Sequence, residues 1–588
     1  MQILRDYNNY QEHLGECEEW KYNVKQTNAK RQEYIKKHNL KINREDAARA
    51  KALINAIDVM DEYSQSESES MENAAQAAKV YISQIGSYIG MAAGLLAGLP
   101  AAKKTKMASL LLVPAGSILG SIAGMIYGIS WAAEKQVGAS RKGRFKAMKE
   151  DLSNPAAFAV LTPEQEKQAR EIAKTIPIDK KMKKSVKGLM GKNSEFVSGF
   201  KQFINLFKSD DAEYKMQQAE FADNIRKNEK RFNEPLSKQD IENAKKDRQM
   251  FANIVEKIDY ASQKYAERAE LATNTISAAA AAGGLALGMA VKKLVSAFKS
   301  KNLFLNYGVP FLTGAGLAVS LSVLAAKLQK QASRAGRFKV KQEFLNNPDQ
   351  LVYIDEKDLP KEDVKIPEKK QENIFQFVFR LMKENKEYKN HIKKDGIKQK
   401  QYQKALEKIK LSPEQLKDAK TLQMNTFKTF NKVDEKSQQY AESVEAAGEL
   451  LNYPVSSLFG LIGAGLGAFF ARKDFKAVFD KANQAKTNQE AAVLMKSLAK
   501  PIGKFILGFL PALIPSIAID VIFTRKQLEA SRTADMLALK ELSDYRHYVD
   551  YDNLKGGKQD AVQKQTLPPK AGSNLVDFYK NKSKSAAK

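Results

Sequence analysis

Carboxylate, hydroxyl and amide side chains recur at one spacing three times along this chain. Asp61, Ser64, Gln65, Glu69 and Glu72 are matched by Asp259, Ser262, Gln263, Glu267 and Glu270, and again by Asp434, Ser437, Gln438, Glu442 and Glu445. Offsets of 0, 3, 4, 8 and 11 place each set on one broad face of an α-helix. Such a face can pack against a neighbouring helix, remain solvated, or form a repeated binding surface. A basic residue follows each set at a distance: Arg141, Arg334 and Arg532, each in an Ala-Ser-Arg step that continues to Gly-Arg-Phe in the first two cases. Glu72 and Arg141 lie at equal distances before and after the first hairpin, 80–133, which predicts a salt-bridged stalk within one unit. Asp520 is the one acid well inside an uncharged run. An acid there is a functional-site candidate, with pairing to nearby Arg525 as the alternative.

Other reactive residue types are sparse. His13, His38, His391 and His547 fall in different segments and show no metal-ligand spacing. The single cysteine, Cys17, has no catalytic partner nearby in sequence and excludes an intrachain disulfide. The glycines of 460–467 lie inside an apolar helix with no preceding strand, and 188–192 lacks the phosphate-loop spacing. No catalytic, cofactor-binding or metal-binding constellation emerges, so a non-enzymatic protein without a cofactor is expected.

The elements that carry these faces repeat as well. Asn43, Ser237 and Ser412 each follow an apolar residue and precede an acid or amide three positions on, the signature of a capped helix start. Glu19-Trp20-Lys21, Glu213-Tyr214-Lys215 and Glu387-Tyr388-Lys389 stand upstream in the same order. Asn154-Pro155 and Asn347-Pro348 close the basic helices, since a residue before proline avoids the α conformation. These landmarks predict an all-α chain of three tandem repeats, 1–207, 208–385 and 386–588, each containing a long helical hairpin: 80–133, 271–326 and 450–524.

Each hairpin contains two uncharged runs near the roughly 20 residues that cross a bilayer, so six transmembrane segments are expected alongside charged helices. The first hairpin carries glycine every fourth residue: Gly86, Gly90, Gly94 and Gly98, then Gly116, Gly120, Gly124 and Gly128. Such ladders let two helix backbones pack closely. The N-terminus lacks a cleavable signal, and an even number of spans per repeat places all large polar segments on one side, so an integral membrane protein with those segments in the cytoplasm is expected. The plan of three two-span units resembles that of mitochondrial solute carriers. Their proline–acid–basic motif at the end of each first span is missing, so the resemblance stops at the plan.

Lysine and arginine number 96 against 68 acids, and the net charge of +28 favours anionic partners. Anionic lipid bilayers and a protein partner or self-association through the helices are expected. Nucleic acid is disfavoured because the basic residues are dispersed and no recognition motif occurs. The combined expectation is a multi-pass, membrane-anchored scaffold or membrane-organising protein. The alternatives are a pore or transporter around a pseudo-threefold axis, and a soluble helical protein that buries its hairpins.

Overall fold

The computed structural model describes residues 2–67, 139, 141–189, 235–297, 331–366, 372–482, 522, 525, 526 and 529–549. The chain is all-α: among the described residues every regular element is helical. The helices are α1 Gln2–His38, α2 44–67, α3 141–150, α4 Pro163–Thr175, α5 Lys180–Leu189, α6 Lys238–Ala297, α7 331–346, α8 Ile374–Leu406, α9 Pro413–Ala482 and α10 529–541. Short 3-10 turns at Pro155–Phe158, Pro348–Leu351 and Tyr545–Tyr548 follow α3, α7 and α10.

Local chemistry sets the helix ends. The α2, α6 and α9 starts are capped by Asn43, Ser237 and Ser412, whose side chains accept from the backbone N–H three residues on at 2.7, 3.1 and 3.2 Å. At α9 Gln415 answers by accepting from the Ser412 N–H at 3.0 Å, completing a capping box, and Pro413 occupies the first helical position. Helix α1 stops at Asn39, which adopts φ 48° while the Leu40 N–H closes onto the Ile35 carbonyl at 3.0 Å. This left-handed cap suits asparagine, and Lys36, Lys37 and His38 complement the negative helix end.

Three antiparallel helix pairs form the body: α2 with α3, α6 with α7, and α9 with α10. Gly143 of α3 lies so close to α2 that a Cβ there would come within 2.7 Å of the Ser64 Cα. A Cβ on Gly336 of α7 would meet the Ala261 carbonyl oxygen of α6 at 2.7 Å. Lys257 holds the second pair together through Glu343 at 2.6 Å, and Lys432 the third through Glu541 at 2.7 Å. The shared core joins Leu53, Ile57 and Met60 of α2 to Phe251 and Ile254 of α6, Leu422 of α9, Phe158 and Tyr548. Helix α8 adds Tyr388 and Ile392 to this core, and Trp20 of α1 packs against it. Tyr10 and Cys17 of α1 lie against Tyr440 and Ala534, and Phe377 and Leu381 of α8 against Tyr265 and Ala269.

The expected six-span, multi-pass integral membrane architecture is not met. Among the described residues, no helix is long and apolar enough to cross a membrane. Two expected spans fall on described backbone, Leu271–Val291 within α6 and Leu450–Ala471 within α9. Both continue helices whose earlier turns are charged. The α6 stretch is dominated by alanine and glycine from Ser277 to Gly288. Such small residues are uncharged without being strongly apolar, so absence of charge overstated the membrane signal. The runs 80–102, 107–133 and 302–326 lie outside the described residues, as does 505–524 apart from Ile522. A membrane-anchored scaffold with an integral membrane localisation and cytoplasmic polar segments is corrected accordingly.

Candidate functional site: a buried ring of arginines and carboxylates

The recurring acids meet in the middle of the body. Asp61, Asp259 and Asp434 lie on the inner faces of α2, α6 and α9, where Asp61 and Asp434 are 8% and 2% exposed. The basic helices answer them across helix pairs. Arg144 of α3 donates to the Asp434 carboxylate of α9. Arg337 of α7 stands 3.3 Å from Asp61 of α2. The residue of α10 in the corresponding place is Asp535, an acid whose charge acts on Asp259 of α6. Each basic helix therefore approaches a leading helix from a different pair, and the three approaches close into a cycle.

Further contacts extend the cycle along each interface. Between α7 and α2, the Arg334 Nε donates to Gln65 at 3.0 Å and Lys341 pairs with Asp58. Gln65 also donates to Ser333 at 3.0 Å, and Ser333 touches Ser262 of α6 at 2.5 Å. Between α10 and α6, Arg532 pairs with Glu267 at 2.7 Å. Arg141, 8% exposed, adds its charge near Asp434.

Burial and charge act in opposite senses on these groups. Burial raises the Asp434 carboxyl above the ordinary range, with Arg144 and Arg141 opposing the shift. Burial also raises Asp259, even though Arg532 and Arg337 stand near it. Asp535 is pushed well up by burial and by the Asp259 carboxyl beside it. Both keep some accessible surface while protein encloses them. Glu62, one position beyond Asp61, is pushed up to about 8 by burial and the neighbouring Asp58, against the pull of Lys341.

A second polar region lies at the capped ends of α2, α6 and α9. They surround a cavity of about 420 Å³ whose lining includes Glu45, Asp240, Asp247, Glu414 and Asp418. Arg49 crosses it, donating to both Asp247 oxygens at 2.6 and 2.7 Å and to Asp418. Burial raises the Asp247 carboxyl while Arg49 opposes that rise. Neither region offers an activated nucleophile. Cys17 is buried, and burial raises its thiol, which keeps the reactive thiolate scarce.

Of the residues singled out by spacing, Asp61, Asp259 and Asp434 converge with Arg141, Arg334 and Arg532. The stalk expected between Glu72 and Arg141 cannot be placed, because Glu72 lies outside the described residues. The described Arg532 pairs instead with Glu267 of α6, a helix of a different pair. The side chains of Glu270 and Glu445 lie outside the described residues, as do Asp520 and the eight glycines from Gly86 to Gly128. Spacing overlooked Arg144, Arg337 and Asp535. Their signal was available: each sits three residues after Arg141, Arg334 or Arg532, on the same helix face. No family model matches this sequence, and no characterised protein or solved structure is similar to it.

Proposed function

We propose that the chain is a non-enzymatic helical scaffold of three related units, 1–207, 208–385 and 386–588, that self-associates through exposed apolar side chains. The observation that carries this reading is the closed cycle Arg144–Asp434, Arg337–Asp61 and Arg532–Glu267. Three interfaces at matching positions, each between different units, are the arrangement expected of a triplicated unit folded about a common axis. The ionisable groups are occupied in holding helices together, which supports a structural rather than catalytic use.

Leu271, Phe379, Met382, Phe469, Phe470 and Ile522 are exposed, with Phe379 at 74%. Exposed large apolar side chains of this kind support a role in contact with another copy. The small-residue ladders Gly86–Gly98 and Gly116–Gly128 suit close helix contacts in the same assembly. The net charge of +28 supports an anionic surface as the complementary partner, either acidic protein or anionic lipid. Sedimentation with anionic against neutral vesicles separates those two sources.

Light scattering across a concentration series tests the central reading. The full chain is expected to form oligomers, and a Phe379→Ser, Phe469→Ser, Phe470→Ser variant to remain monomeric with unchanged helicity. A full chain that stays monomeric at every concentration and salt level overturns self-association.

A further inference from the structure

Helix α8 turns two faces to different surroundings. Its inner face carries Phe377, Leu381, Tyr388 and Ile392, all buried. Its outer face carries Phe379, Met382, Lys383, Lys386, Lys393 and Lys394, at offsets of 0, 3, 4, 7, 14 and 15, and each of these residues is exposed. Phe379 is 74% exposed and Met382 47%. The acids of α8 lie elsewhere. Glu384 pairs with Arg380 at 3.0 Å and Asp395 with His391 at 3.3 Å, while exposed Glu387 stands at the edge of the stripe. Where the same face turns apolar at Ile397, α5 packs over it. Met182 of α5 clusters with Ala405 and Ile397, and a Cβ on Gly396 would lie 3.2 Å from the Val186 Cγ1. Lys180, Lys181, Lys183 and Lys184 of α5 are exposed, which extends the positive surface.

We propose that this face docks on an anionic phospholipid bilayer, with the lysines on headgroup phosphates and Phe379 and Met382 in the outermost acyl layer. Charge and apolar character together select this occupant. The positive groups on the α8 stripe are all lysine, point charges that take headgroups in many orientations. A nucleic acid would match the charge but offers no hydrocarbon to Phe379 and Met382. An acidic protein would need a pocket shaped for them. A bilayer presents negative charge above hydrocarbon without a fixed shape, the setting in which helices with a lysine face and apolar anchors lie along the interface. Such a contact needs no spanning helix. It deepens the anionic-partner part of the function proposed above and rests on that part alone, not on self-association.

Sedimentation of the full chain with phosphatidylserine-containing vesicles tests the surface. Each lysine near an anionic surface strengthens binding by about fivefold. A variant with Lys383→Gln, Lys386→Gln, Lys393→Gln and Lys394→Gln should therefore bind more than about a hundredfold more weakly. A control with Lys36→Gln, Lys37→Gln, Lys51→Gln and Lys238→Gln removes equal charge from α1, α2 and α6 and should bind close to wild type. All eight lysines are exposed, so both variants should keep wild-type helicity. Phe379→Trp should add emission that bromine on the acyl chains quenches. Wild type that binds anionic vesicles no better than neutral ones overturns the surface together with the lipid part of the reading above. Equal losses in the two lysine variants, or added emission that bromine leaves untouched, overturn the surface and leave that reading in place. Equal affinity for duplex DNA at matched phosphate concentration, lost in the same α8 variant, assigns the surface to nucleic acid and overturns the choice of lipid.

Discussion

Arg49 illustrates how a buried charge becomes structural in this chain. It is 6% exposed and meets Asp247, 1% exposed, through two parallel hydrogen bonds, with Asp418 as a third partner. Removing one member of such a pair leaves the other charged and desolvated, which costs about 3–5 kcal/mol. Arg49→Ala should lower stability by that amount in urea unfolding, and a second change, Asp247→Leu, should recover much of it. Glu62 makes a different statement, about pH. Its carboxyl is raised to about 8, so the folded chain holds this proton more tightly than the unfolded chain does. The stability contributed by the protonated form is complete below the ordinary carboxyl range and is lost as pH climbs through about 8. Glu62→Gln should therefore flatten the fall in melting temperature between about pH 5 and pH 8 relative to wild type.

Helix pairs raise a steric question rather than an electrostatic one. Gly143 and Gly336 stand where α3 and α7 approach α2 and α6 most closely, and a Cβ at either place meets backbone atoms that cannot rotate away. Gly143→Ala should destabilise the chain by about 1–3 kcal/mol despite alanine's better helix propensity, because the backbones must separate. Thermal unfolding of the full chain checks this, and stabilisation would show that the pair has slack. The corresponding residue in α10 is Ala534, fully buried against α1, so the third pair accommodates a methyl group that the first two exclude. The helix starts of α2, α6 and α9 were legible from sequence because a cap is a contact between residues three apart. The close approach at Gly143 was not, since it depends on a helix some eighty residues away.

At the scale of the molecule, two tendencies compete in the proposed self-association. Exposed Phe379, Phe469 and Phe470 favour contact between copies, whereas 28 excess positive charges on each copy oppose it. Screening weakens the repulsion and leaves apolar contact largely intact, since the Debye length falls from about 30 Å at 0.01 M salt to about 10 Å at 0.1 M. Self-association should therefore strengthen with added salt, read as a rise in weight-average mass by light scattering. Weakening with salt would instead point to ion pairs as the adhesive contact.

The amino-acid sequence by itself determined what depends on near neighbours. The helical class, the caps at Asn43, Ser237 and Ser412, and the gathering of Asp61, Asp259 and Asp434 on helix faces all follow from spacings within a few turns. Tertiary structure alone decided partnership. Arg337 turns to Asp61, Arg144 to Asp434 and Arg532 to Glu267, each across helix pairs. The physical reason is range. Capping and periodicity act over one or two helical turns, whereas the partner of a buried charge is chosen by how helices hundreds of residues apart come to lie side by side.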